Sequence, residues 1–263
     1  MPAADAQRII LSNTGADAVA AAALDTAAAT RLLVAEGILD YSGHLSARIP
    51  GQDAFVVQVG GDSRAELTPE RMLVVGLDGR VRSGDGKPPS ELAIHLAILR
   101  ARPDVQAVLH CHLDLAIAFT MMAGVTLQPM RARAVRWMSG IPTHPDPSHI
   151  KLEEQGRALA VTLGPHHAAL MRAHGLVLVA ESVRAAFVDA VHFAENARAQ
   201  MQALQSGAKP IPLTADEMQQ ILRHETRDWH VRKLWNYYAR KGAQQGVLPA
   251  DWMPDLLPEP GAA

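Results

Sequence analysis

The stretch Val105-Gln106-Ala107-Val108-Leu109-His110-Cys111-His112 constrains this chain more than any other. It is short and rich in Val and Leu, with Pro103 and Asp104 before it and Asp114 after it, and it reads as a β-strand. Side chains alternate faces along a strand, so His110 and His112 point one way and Cys111 the other. Neutral imidazole suits Zn, Cu, Fe and Ni, and two rings on one face can converge on one ion. Two histidines are half a site, because a four-coordinate catalytic metal usually takes three protein ligands and keeps one position open. Glu91 and His174 are the candidates for the rest.

Around that strand the hydrophobic period switches between 3.6 and 2. Helical patterns cover residues 17–39, 91–101, 114–123, 151–163, 182–204 and 215–241. Strand patterns cover 45–49, 54–59, 168–173 and 176–179, and a hairpin joins 73–77 to Val81 through Asp78-Gly79. Ser90, Asp114 and Ser182 stand where helix caps are expected. Residues 125–137 hold further short strand candidates with Arg131, Arg133 and Arg136, and 141–149 read as a loop. Residues 1–14 are expected to form a flexible leader, 15–210 one catalytic domain, and 211–263 a helical extension and Pro-rich tail. Strands interleaved with helices, without a repeat or clear linker, indicate one α/β domain with a mixed sheet covered by helices.

Aromatics are only 4% of the chain, so the core has to be built from Ala, Leu and Val. A net charge of −2 gives no basic surplus for nucleic acid. Cys111 is the single cysteine, which rules out an internal disulfide and fits a reducing cytoplasm. No secretory signal is evident and no run of 18 apolar residues is free of charge, so no membrane span is expected.

Four pieces stand in order: Ser42-Gly43-His44-Leu45-Ser46-Ala47-Arg48, then Lys87-Pro88-Pro89-Ser90-Glu91-Leu92-Ala93-Ile94-His95, then His110-Cys111-His112, then Arg172-Ala173-His174-Gly175. In that order and at those separations, residues 24–204 resemble the class II aldolase/adducin family. The resemblance implies a three-layer α/β/α sandwich with a mixed, largely antiparallel central sheet. It also implies a divalent metal held by His110, His112 and His174, acid/base work for Glu91, and rings of four subunits with sites at their interfaces. Zn, Mn, Fe and Co are all compatible with such donors. Taken alone, Glu91 is equally an acid complementing a helix N-terminus beside the cap Ser90, and the two roles are compatible. His95, one turn on, is expected to pack or support, and Cys111 to be a small buried apolar residue.

Sugar-phosphate aldolases of this family read Gly-Asn where this chain has Gly43-His44. They also carry Thr-Pro-Ser-Gly where it has Gly60-Gly61-Asp62-Ser63-Arg64-Ala65-Glu66. The Gly-His-Leu-Ser form looks more like members that decarboxylate aromatic ortho-hydroxy acids or dicarboxylates. Arg64 is then the candidate carboxylate clamp, since guanidinium matches carboxylate as a bidentate fork. As a loop arginine it is expected to matter little for stability, and a solvated arginine is its plainer reading. His44 is a candidate proton donor or a turn-stabilising histidine, and Ser46 and Ser90 complete the substrate-binding candidates. The expectation is a cytoplasmic, homotetrameric, metal-dependent carbon–carbon lyase, foremost a decarboxylase of a small aromatic carboxylic acid. The alternatives are an aldolase or dehydratase of a hydroxy carbonyl compound, phosphorylated or not, and an adducin-like interaction module without metal. Glu91 and the three histidines argue against the last.

Overall fold

A computed structural model describes residues 3–224 and 226–252, so the tail at 253–263 and the first two leader residues lie outside it. Eight strands make one mixed sheet: β1 (His44–Arg48), β2 (Ala54–Gln58), β3 (Met72–Gly76), β4 (Val81–Ser83), β5 (Ala107–Cys111), β6 (Thr143–His144), β7 (Ala168–Met171) and β8 (Gly175–Ala180). Their order is β4-β3-β2-β1-β5-β8-β7-β6, and only the β6–β7 pair is parallel. This is the mixed, largely antiparallel sheet expected from the sequence. In it His44 of β1 lies directly opposite His110 of β5, and His110 opposite Val177 of β8.

Alternation sorts each central strand onto two faces. Leu45 and Ala47, Ala54 and Val56, Leu109 and Cys111, and Leu176 and Leu178 belong to one core, whereas Phe55, Val57, Val108, Val177 and Val179 belong to the other. Helices α1 (Ala3–Ala35), α3 (Asp114–Ala118), α5 (Val183–Gln205) and α7 (Arg227–Gln244) cover the first face. Helices α2 (Leu92–Ala101) and α4 (Glu153–Leu163) cover the second. In α1 the fully buried Ala27, Ala28 and Ala29 let the helix approach closely, and Leu32 and Leu33 fill the space behind them. Trp137 packs edge-on against Phe193, and Trp235 against Phe187, which gives the aromatic-poor core its large anchors.

Helix α1 runs from Ala3 to Ala35. Its segment Gly15–Ala35 is long and apolar enough to cross a membrane by length and composition, but its apolar stripe is spent on this core. Residues 125–137 hold no strand among the described residues. They end in a 3-10 helix, Ala132–Trp137, which buries Ala134, Val135 and Trp137. The loop at 141–149 contains β6. Helix α2 starts after Glu91, which occupies the cap position without a capping bond, so Ser90 caps nothing. The helix expected at 215–241 is two, α6 (Ala215–Leu222) and α7. The restart lets Arg227, the first residue of α7, fold onto Glu181 and Asp189, with Nη2 2.8 Å from Asp189 Oδ2.

Candidate metal centre

The site sits on the α2 side of the sheet, at one end of β1, β5 and β8. Strand β5 presents His110, and His112 follows on the same side just beyond the strand end. The tight turn from β7 to β8 supplies His174. There Ala173 adopts a left-handed φ of 52°, uncommon for a residue with a side chain, and its amide donates to Thr120 Oγ1 at 2.9 Å. Gly175 follows because nothing larger fits: a Cβ would lie 2.8 Å from Cys111 O and 3.0 Å from both His110 Cε1 and His112 Cδ2. Glu91 enters from the start of α2, where Oε1 accepts the Ile150 amide at 2.8 Å.

One ligand atom from each of Glu91, His110, His112 and His174 lies within 4.8 Å of all the others. Each imidazole is anchored through Nδ1. That atom lies 3.0 Å from Leu176 O in His110, 3.2 Å from Ser148 O in His174 and 3.0 Å from Asp40 Oδ2 in His112. Such acceptors fix the Nδ1–H tautomer and leave each Nε2 lone pair for a ligand. His110 Nε2 and His174 Nε2 are buried without a hydrogen-bond partner among the described residues, and Glu91 stands 3.5 Å from each. An unpaired buried acceptor costs about 1–3 kcal/mol, and one cation would satisfy both together. The donor set therefore fits a divalent metal. Burial works against the charge of Glu91. Its contacts with His110 and His174 and the Ile150 amide outweigh that, and hold the carboxyl far below the usual carboxylate range.

Asp40 was not singled out from the sequence. It accepts from the amides of Ser42 and Gly43 at 3.0 and 2.8 Å as well as from His112, so it shapes the Gly43-His44 turn and orients a candidate ligand at once. Burial opposes its charge, but the Gly43 and Ser42 amides and His112 leave its pKa below the ordinary value. Its one signal in the sequence was an acid placed to accept from the amide two residues on, an Asx-type turn.

His44 is 2% exposed, with its ring 5.0 Å from that of His110. Its Nδ1 lies 2.6 Å from His95 Nε2, and His95 Nδ1 lies 2.6 Å from Ser46 Oγ. The Ser46 hydroxyl has no other acceptor among the described residues, so it donates to His95, His95 donates to His44, and His44 keeps an Nε2–H. Burial first, then His95 and His110, push the His44 pKa well below the ordinary value. Burial and His110 push His95 down to about 3. Both rings are neutral at neutral pH.

A cavity of about 550 Å³ opens over the cluster, lined by Tyr41, His44, Arg64, Ser90, Glu91 and His149 together with residues 60–63. That volume suits a small molecule. Arg64 is not a solvated loop residue. It is 5% exposed, and donates from Nε to Gly43 O at 3.0 Å and from Nη1 to Gly60 O at 2.9 Å and Asp62 O at 2.5 Å. It bolts the loop to the His44 turn, which leaves only Nη2 for a ligand. Ser90 is exposed at the cavity wall. Ser46 is fully buried behind His95 and does not line the cavity, so the substrate role expected of it is replaced by support of His95. His149, in the loop that follows β6, is 70% exposed, with Nδ1 3.6 Å from Glu91 Oε1. Cys111 faces the opposite core, and burial raises its thiol to about 12.

Comparison with known proteins places this geometry. The chain is 29% identical over 206 residues to a 3,4-dihydroxyphthalate decarboxylase from Rhodococcus jostii, covering 73% of this chain and 82% of the relative. It is 30% identical over 181 residues to a 5-methylthioribulose-1-phosphate/5-deoxyribulose-1-phosphate aldolase from Rhodospirillum rubrum, covering 69% and 80%. The crystal structure of an aldolase II superfamily protein from Pseudomonas syringae superposes with a TM-score of 0.73 at 25% identity, over 86% of this chain and 93% of that one. The family model described as the class II aldolase and adducin N-terminal domain matches residues 25–201, from within α1 to near the end of α5, and the chain belongs to that family.

Proposed function

We propose that this protein is a divalent-metal-dependent lyase that decarboxylates an aromatic hydroxy acid or ortho-dicarboxylate. The observation that carries the reading is the pair of unpartnered Nε2 atoms of His110 and His174 facing Glu91, with the Nε2–H of His44 beside them under one cavity. A divalent cation held by Glu91, His110, His112 and His174 supplies Lewis-acid stabilisation of negative charge developing on a substrate oxygen. Arg64 Nη2 and Ser90 hold the carboxylate at the wall. Glu91, kept ionised, accepts a hydrogen bond from the substrate hydroxyl and orients it. His44 delivers its Nε2 proton to the carbon that loses carbon dioxide, and the His95 Nε2–H, 2.6 Å behind it, supports the negative charge the His44 ring acquires. A proton from solvent then restores the His44 ring.

Similarity to the Rhodococcus jostii decarboxylase supports this branch. Similarity to the Rhodospirillum rubrum aldolase supports the second reading, aldol cleavage or dehydration of a hydroxy carbonyl compound. Incubating the metal-loaded enzyme with hydroxylated aromatic acids and with sugar phosphates, while reading carbon dioxide and aldehyde together, separates them. Carbon dioxide from an aromatic acid is the expected result, and faster aldehyde release from a sugar phosphate transfers the assignment to the second reading. The exposed Trp229 and Tyr237 of α7 fit a cytoplasmic homotetramer in which a neighbouring subunit covers them, and light scattering showing an active monomer would reject that assembly.

A further inference from the structure

A second cavity, of about 360 Å³, lies away from the candidate metal centre among the 3-10 helix Ala132–Trp137, α5, α6 and α7. Its outer wall, from α6 and α7, lies beyond the residues matched by the family. We propose that it binds a small organic monocarboxylate with an apolar body.

Arg136 stands on the wall of this cavity. Its side chain is 15% exposed, and is clamped by Nε to Asp189 Oδ2 at 3.0 Å and by Nη2 to Glu181 Oε2 at 2.9 Å. Arg227 closes on the same two acids. Two guanidinium groups and two carboxylates therefore offset one another and hold Arg136 still. Its Nη1 makes no hydrogen bond among the described residues, so two N–H donors remain on a fixed, planar group at the cavity wall. His167 lines the same cavity, and its ring likewise makes no hydrogen bond among the described residues. Burial first, then Arg136, pushes its pKa down to about 4, so it is a neutral ring with one N–H to offer. Val135, Met138 and Leu222 form the apolar part of the wall.

Those features select the ligand. Unused donors on a guanidinium suit a carboxylate. Arg133 lines the same cavity, so three guanidinium groups stand against Glu181 and Asp189, a small positive excess that suits a monoanion better than a dianion such as phosphate. The Val135, Met138 and Leu222 wall favours an acid that carries an apolar body. A cation is disfavoured beside three arginines. The proposal is independent of the decarboxylase reading.

Benzoate is the probe, titrated calorimetrically into the full-length enzyme. Leu222→Trp fills this cavity from a side chain that is partly exposed, so folding and turnover should be unchanged. Arg136→Lys keeps the charge and removes the spare Nη1. Ser90→Trp fills the other cavity. The expected result is a benzoate site that survives Ser90→Trp and weakens by about tenfold or more in Leu222→Trp and Arg136→Lys. Acetate, without the apolar body, and benzyl alcohol, without the charge, should bind about tenfold more weakly than benzoate. Benzoate binding abolished by Ser90→Trp and untouched by Leu222→Trp overturns the proposal, as does benzyl alcohol binding as tightly as benzoate. If Arg136→Lys fails to fold, Leu222→Trp alone decides.

Discussion

Asp40 is the residue whose removal should separate metal affinity from folding. Asp40→Asn keeps an oxygen for the Ser42 and Gly43 amides but removes the charge that fixes the Nδ1–H of His112. Metal affinity, read by competition with a chelator, should fall by about 10–100-fold, while the unfolding midpoint of the metal-free protein stays near that of the parent. Arg64 should behave in the opposite way. Arg64→Ala leaves Gly43 O with Gln58 Nε2 as its donor but takes the donor from the carbonyls of Gly60 and Asp62 in a partly exposed loop, and should cost about 1–2 kcal/mol in urea unfolding. The two residues also mark the limit of what the sequence discloses. His110 and His112 were legible because strand period alone puts them on one face, and His174 and Glu91 because they stand in ordered motifs. Arg64 was visible as a charge near the site, but its burial is a property of three carbonyls that only the folded loop brings together. Asp40 and the Ser46–His95–His44 chain depend on contacts across 72 and about 50 residues of sequence, which no local pattern encodes.

At the level of elements, the strands and helices with strong periods were legible, and the failures fall where tertiary contacts override the local pattern. The stretch ending in Trp137 carries β-branched and aromatic residues, yet it turns as a 3-10 helix because Trp137 is drawn into the core beside Phe193 and Arg136 onto Asp189. The two-residue β6 is too short to leave a period, and its pairing with β7 fixes it. The break between α6 and α7 follows from Arg227, whose ion pairs with Glu181 and Asp189 begin the second helix. Arg227→Ala leaves Asp189, almost fully buried, with Arg136 as its remaining partner, and should destabilise the protein by about 1–3 kcal/mol. Hydrogen exchange should show the added opening concentrated in the first turns of α7.

For the whole molecule, the neutral buried histidines set a pH dependence. His167 has a pKa of about 4 in the folded protein and returns toward its ordinary value of 6.5 on unfolding. Below that ordinary value the unfolded chain binds the extra proton, so this contribution is complete above it and is lost as pH falls toward the folded value. Between pH 7 and pH 5 the loss should be about 1–2 kcal/mol. Urea titrations of the metal-free protein at the two pH values should show it, and His167→Gln should reduce the difference. The same molecule gathers His44, His110, His112 and His174 where the sheet ends, with β1, β5 and the β7–β8 turn each bringing one or two rings to one centre.

The claim on which the rest depends is that Glu91, His110, His112 and His174 hold one divalent cation. The direct measurement is elemental analysis of the parent protein and of His110→Ala after loading with zinc or manganese and exhaustive dialysis, with circular dichroism to confirm that both are folded. The expected result is about one equivalent of metal per parent chain and a small fraction of that in the variant, because His110 brings one of the two buried, unpartnered Nε2 atoms and the three donors left behind hold the ion too weakly to survive dialysis. A parent chain that retains no metal, or a folded His110→Ala chain that retains a full equivalent, would contradict it.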